Sequence, residues 1–408
     1  MKILYLHHGS ALGGAPLSLL YLLQAMDPAV VDPIVCSVIN DAGVLDLFAT
    51  HGYATCATTL MPFTHTTGQR YAYANPRDWL RLLEWVGDYR QGCARLHELL
   101  EIIQPEVVHF NSIVLAPYLP VAHALGIPTV LHVRESVLPG IFGVRKAWLE
   151  RLLARYADAV VVICRDNLHT LRLAAGKATV IYEPLDFTKF DYRLAQPDAR
   201  AQLGIAPDAH VVLFAGGSVP EIKGLWEYLH AMQHLRLTDP RLVCLMPSFS
   251  PPTLIPAPRL SLLGRLHPGR RRAQALRDFL TESGLTSQIK GFPFRFDIER
   301  FIAASDVVCV PHIQPHFSRT VVEAHAMRKP VAAFCIGGIE EVVAHNESGL
   351  LVPVGDVRGL ADAVQRLLAD PALGRQLGDA GYRQIHDTFS ATRCARVMED
   401  IYRSLLHE

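Results

Sequence analysis

Short apolar runs recur along the chain with amphipathic stretches between them, a spacing that predicts strands alternating with helices. Residues 3–6 (ILYL) open the pattern, a glycine-bearing stretch follows, and Leu17, Leu19, Leu20, Leu22 and Leu23 then fall at helical spacing. Further strand-like runs lie at 34–39 (IVCSVI), 107–110 (VVHF), 129–133 (TVLHV), 159–163 (AVVVI) and 179–182 (TVIY), with 79–103 among the amphipathic segments between them. Buried strands that alternate with helices imply a parallel, doubly wound sheet. The pattern restarts at 211–215 (VVLFA), and runs at 242–246 (LVCLM), 306–310 (DVVCV) and 330–334 (PVAAF) predict a second such sheet.

The expected organisation is therefore α/β, with two doubly wound Rossmann-like domains facing a cleft. Residues 1–187 form the first and 209–381 the second, joined by a polar, proline-bearing linker at 188–208. Residues 382–408 are expected to be a terminal helical segment packing back on the first domain. Segment 247–275 departs from the alternation, running from Pro247 through Pro251, Pro252, Pro256 and Pro258 to Arg270, Arg271 and Arg272, and is expected to be a long surface loop.

Length and composition agree with this reading. A chain of 408 residues, 50% hydrophobic and 19% charged, has room for two cores and is too apolar for disorder. Lys plus Arg equals Asp plus Glu at 39 each, so no global field draws the chain to nucleic acid and any anion site must be built locally. The eight cysteines lack the close pairs of a zinc ribbon or a redox motif and are expected to be reduced and mostly buried. From Lys2 to Asp27 no Asp, Glu, Lys or Arg intervenes, as in a signal peptide, but His7 to Ser10 and then Gly13, Gly14 and Pro16 break the apolar run. The expectation is a cytoplasmic chain that does not span a membrane.

Open α/β sheets bind ligands outside the carboxyl ends of their strands, and two segments with chemistry fall there. In GGSVPEIKG, Gly216 and Gly217 would let backbone approach a phosphate while Lys223 adds a point charge; a surface turn with a solvated lysine has the same pattern. In 315–341, Ser318 is the expected N-cap of a helix begun by Arg319 and Thr320, with Glu323 one turn in. That helix start suits an anion and the carboxylate suits sugar hydroxyls, although a capped helix whose Glu323 merely favours the dipole would look alike.

In collinear order, the chain carries LGGAP, VVHFNS, GIPTVLHVRE, VIYEPLDFTKF, the lysine loop, EAHAMRKPV, Gly337–Gly338 before Glu340 and Glu341, and SGLLVPVGD. Together these phrases resemble glycosyltransferase family 4, retaining nucleotide-sugar glycosyltransferases of the two-Rossmann GT-B fold. By that resemblance Lys223 would bind the donor diphosphate, and Glu323, the second glutamate of the family's E-x7-E motif, would hold the donor ribose. Ser318, Arg319 and Thr320 would offer amides to phosphate or sugar oxygens. Gly13 and Gly14 would let a first-domain loop approach the donor, and His132 would touch the transferred sugar; a buried core histidine is the alternative for His132. His132, Lys223 and Arg319 are thus the candidate catalytic residues. The chain also departs from the pattern. Pro315 stands at the first position of E-x7-E, Gly217 where an arginine is usual, and Glu183 where asparagine is common.

The resemblance implies a retaining enzyme, without metal ion or cofactor, that moves a sugar from a nucleoside-diphosphate donor to an acceptor hydroxyl, with envelope polysaccharide or glycolipid assembly as a fitting setting. The rival expectation is a nucleotide-sugar-binding protein without transfer, motivated by Pro315 and Gly217. A nicotinamide oxidoreductase is disfavoured, because GSALGG is not GxGxxG. The acceptor stays open between sugar, glycolipid and small molecule. Segment 141–156, with Arg145, Lys146, Arg151 and Arg155 among apolar residues, fits both a peripheral contact on the inner membrane face and an ordinary solvated helix.

Overall fold

Along the central strands of the first sheet, successive side chains enter different cores. Ile3, Tyr5, Val107 and Val130 join one, whereas Leu4, Leu6, Val108 and Leu131 join the other. This alternation buries a sheet on both faces, which is why its strands read as uniformly apolar. The computed structural model describes residues 1–9, 13–63, 76–174, 176–217, 220–249 and 268–407. They divide into two units, Met1–Asp186 with Thr388–Glu408, and Phe187–Asp387.

The first unit holds β1 (Lys2–His7), β2 (Asp32–Ser37), β3 (Ala54–Ala57), β4 (Val107–Phe110), β5 (Thr129–Val133), β6 (Ala159–Val162) and β7 (Ala178–Val180). They form one parallel sheet of order β3-β2-β1-β4-β5-β6-β7. The second unit holds β8 (His210–Leu213), β9 (Leu242–Met246), β10 (Ile289–Gly291), β11 (Val307–Val310), β12 (Val331–Cys335) and β13 (Leu350–Pro353), also parallel, in the order β10-β9-β8-β11-β12-β13. Each is therefore a doubly wound sheet. The order reverses between β1 and β4 in one and between β8 and β11 in the other, and the crevice outside the carboxyl ends of such a strand pair is where this fold binds ligands.

Residues 188–208, expected as a linker, fold with the second unit. The helix Gln196–Gln202 lies there, and Arg200 holds Asp306 through two hydrogen bonds of 2.8 Å. The segment expected from 382 onward divides instead: the helix Pro371–Ile385 belongs to the second unit and the helix Ala391–His407 to the first. Met398 and Tyr402 of the latter enter the same core as Leu19, Leu22 and Leu23, so its apolar face is what holds it there. Of the expected loop at 247–275, residues 250–267 lie outside the described residues and a helix, Pro268–Ser283, begins inside its second half. Among the described residues no helix is long and apolar enough to cross a membrane.

Candidate functional site

In the second unit the chain leaves β8 through Gly216 and Gly217. A Cβ on Gly216 would sit 2.1 Å from the ring of Phe214, which is stacked on Tyr228 at 4.8 Å and has no room to yield. Gly224 has φ +70°, and a Cβ there would meet the carbonyl oxygen of Pro311 at 1.7 Å. Only glycine lets the lysine segment close on the loop after β11. The closure is pinned by the Ile313 amide, which donates to the carbonyl of Ile222 at 3.0 Å. Lys223, the last residue of the short helix Pro220–Lys223, is thereby held against that loop. Desolvation lowers its pKa, and the nearby Glu323 carboxylate opposes the shift. Ser218 and Val219 of the same phrase lie outside the described residues.

The helix Arg319–Ala326 begins at the same crevice. Ser318 occupies the N-cap position, but its side chain makes no capping bond, and its buried Oγ has no partner. Glu323 is 7% exposed. Its Oε1 accepts two hydrogen bonds of 3.3 Å from the guanidinium of Arg319, so Arg319 is turned along the helix onto the carboxylate. Gly216, His312 and Thr320 line one small cavity between the ends of β8 and β11. The crevice thus gathers the predicted Gly216, Gly217, Lys223, Ser318, Arg319, Thr320 and Glu323. A roomier cavity of about 750 Å³ in this unit lies at the opposite ends of the strands, where Arg200 neutralises Asp306 and Lys329 caps two carbonyls; none of the predicted residues reaches it.

His132, Gly13 and Gly14 belong to the first unit. Gly13 caps the helix Gly14–Ala25 without unusual backbone, at φ −96°, and residues 10–12 before it lie outside the described residues. His132 is 2% exposed, neither ring nitrogen has a hydrogen-bond partner, and the ring meets His109 edge-on at 5.4 Å. Burial, then Arg134 and His109, hold its pKa well below the usual histidine value, so the ring is neutral.

Around it stands a polar network that the motifs did not single out. At the β1–β4 crevice the Asn111 amide donates to His7 Nδ1 at 2.9 Å, and Arg134 Nε donates to Asn111 Oδ1 at 2.8 Å. Arg134 Nη1 also reaches Glu183 at 2.8 Å, and Ser18 Oγ donates to the other Glu183 oxygen at 3.0 Å. Beside these, Ser112 Oγ donates to Glu135 at 2.5 Å. The phrases VVHFNS and HVRE contain Asn111, Ser112, Arg134 and Glu135, but only the fold shows that they converge. Glu183, anomalous by itself, is the counter-ion of Arg134. Among the described residues no three His, Cys, Asp or Glu are grouped as a metal site.

The comparisons with known proteins agree with this architecture. Residues 195–384 match the model of glycosyl transferases group 1, and residues 35–182 match that of the glycosyl transferase 4-like domain. The chain is 32% identical over 267 residues to a D-inositol 3-phosphate glycosyltransferase of Saccharomonospora viridis, a stretch covering 63% of this chain and 58% of that one. A protein of the same name from Streptomyces bingchenggensis is 28% identical over 225 residues, 55% of this chain and 47% of that one. The chain thus spans about half the length of these curated relatives. A solved structure of Anabaena HepE in complex with UDP-glucose has the same fold, with a TM-score of 0.79 at 20% identity over 99% of this chain and 100% of that one. The chain belongs to the glycosyltransferase family 4 proteins of the GT-B fold.

Proposed function

We propose that the chain is a retaining glycosyltransferase that moves a sugar from a nucleoside-diphosphate donor to an acceptor hydroxyl, and that its second unit holds the donor. One observation carries the reading: at the β8–β11 crevice a desolvated lysine, a helix start and a buried carboxylate share one site. Lys223 and the amino end of the helix Arg319–Ala326 suit a diphosphate, and Glu323 suits the ribose diol. Both families matched are glycosyltransferases, and HepE binds a uridine-diphosphate sugar, which favours UDP as the nucleotide. Charge developing on the leaving diphosphate would be met by the ammonium and helix dipole, without a metal ion. The acceptor would attack on the leaving-group face, with a donor phosphate oxygen taking the proton.

Lys223→Ala should weaken UDP binding and transfer about 10- to 100-fold, the worth of one charge-assisted contact of about 1.5–3 kcal/mol. Glu323→Gln, which keeps an acceptor for Arg319, should weaken UDP and UDP-sugar by a comparable factor. Calorimetric titration, paired with a radiolabelled-donor assay in EDTA, decides. Unchanged affinity in both variants removes these residues from a donor site, loss of transfer that added divalent metal restores overturns the metal-free mechanism, and binding without product favours the non-transferring rival.

For the acceptor we infer a glycolipid or membrane-linked sugar, reached from the cytoplasmic face. Phe142 and Val144 are 97% and 66% exposed at the start of the helix Val144–Tyr156, which carries Arg145, Lys146, Arg151 and Arg155. Phe142→Ser should reduce co-sedimentation with vesicles rich in anionic lipid; retention equal to that of wild type, or no binding by wild type, overturns the contact.

A further inference from the structure

In the second unit three polar atoms are buried without a partner within seven residues of chain: His312 Nδ1, Gln314 Oε1 and Ser318 Oγ. His312 is 6% and Ser318 2% exposed, and each of the three atoms is itself buried. A buried polar atom without a partner is costly, and a group of them in one place signals a ligand whose own polar groups complete it. The loop that carries them begins as β11 ends, and His312 shares the crevice cavity with Gly216 and Thr320. His312 stands two residues beyond Val310, and the loop is pinned to the lysine segment through Ile313, so it borders the place where the diphosphate would end and the sugar begin. Pro315, in the middle of the loop, has no side-chain donor or acceptor and cannot read a sugar.

We infer that His312 and Gln314 hold the hydroxyl groups of the transferred sugar, with Ser318 adding its hydroxyl. The inference rests on the reading of this crevice as the donor site and names the residues that read its sugar. Burial, then His316 and Lys223, keep the His312 ring neutral against a hydrogen bond with the His316 backbone, which leaves Nδ1 as the nitrogen without a partner, and the Gln314 amide offers both a donor and an acceptor. A sugar hydroxyl, itself donor and acceptor, matches such groups whichever way it points. A set without net charge suits a neutral, hydroxyl-rich sugar, and binding that does not depend on ionisation of the reader.

The test compares UDP with UDP-glucose on the full chain, by calorimetry, for wild type, Gln314→Met and His312→Leu, both close in volume to the residues they replace. Each variant should bind UDP within about two-fold of wild type while its affinity for UDP-glucose falls about 3- to 10-fold, the worth of one neutral hydrogen bond. Melting temperatures recorded alongside separate a folding defect from a recognition defect. Equal losses for both ligands place the side chains at the nucleotide or in the fold and overturn the inference, as does an unchanged ratio of the two affinities. A wild type that binds neither ligand overturns the donor-site reading itself, and the assignment of His312 and Gln314 falls with it.

Discussion

Glu183→Ala should destabilise the first unit by about 3–5 kcal/mol, the cost of leaving one member of a buried ion pair uncompensated. The Arg134 and Glu183 side chains are 4% and 8% exposed and 2.8 Å apart. Arg134 also depends on Asn111, and Glu183 on Ser18, so the pair ties the first helix to the ends of β4 and β5. For a unit of this size each kcal/mol shifts the melting temperature by about 2–4 °C, so a drop of about 6–20 °C is expected. Glu183→Asn should behave similarly, since an amide leaves the guanidinium without its charge. Arg134→Met with Glu183→Met removes both charges and should cost less than the two single changes added together. A double-mutant cycle of thermal melts measures this. Additive effects, or a Glu183→Ala protein that melts within about 1 °C of wild type, would show that the pair contributes nothing to stability.

Acidification should unfold the protein in the range where its buried histidines, neutral in the fold, would protonate if released. Desolvation holds His325 near about 4 and His109 near about 3, and His7, His132 and His312 well below their usual value. In each case the folded pKa is depressed. Below about 6.5 the unfolded chain therefore binds more protons than the folded one, and stability falls as the pH falls. The stability is fully present above about 6.5 and is lost progressively from there toward about 4 and 3. The depression of His325 to about 4 corresponds to about 3 kcal/mol once the pH has passed the folded value. With such groups in both units, melting temperatures should fall steeply between about pH 6.5 and 4.5. His325→Gln, which keeps a donor toward the Ser348 carbonyl, should flatten that slope in the second unit. A melting temperature level across the window would sink the account.

Much of the fold was legible because burial on both faces leaves a plain mark. The runs at 107–110, 129–133 and 242–246 coincide with β4, β5 and β9, and the others lie within two residues or so of a strand. The strands that the pattern did not single out, β3, β10 and β13, all lie at a sheet edge. An edge strand packs on one neighbour only, and Ala54–Ala57, Ile289–Gly291 and Leu350–Pro353 are short and partly exposed, so their apolar signal is weak.

The motifs at the β8–β11 crevice were also legible, because glycine at 216 and 224, lysine at 223 and a helix opening at 319 are local requirements of backbone and charge. Only the tertiary structure decided the rest. It turned Arg319 onto Glu323, left Ser318 without the capping bond its position allows, and brought Asn111, Arg134, Glu183 and Ser18 into one network across as many as 165 residues of chain. It also assigned 188–208 to the second unit. By itself, the sequence determined the two sheets and the positions of the glycines, because strand burial and positive φ depend on each residue and its near neighbours. Pairing between buried charges, and polar atoms left without a partner, depend on which side chains a sheet order brings together, and the chain order of residues does not state that order.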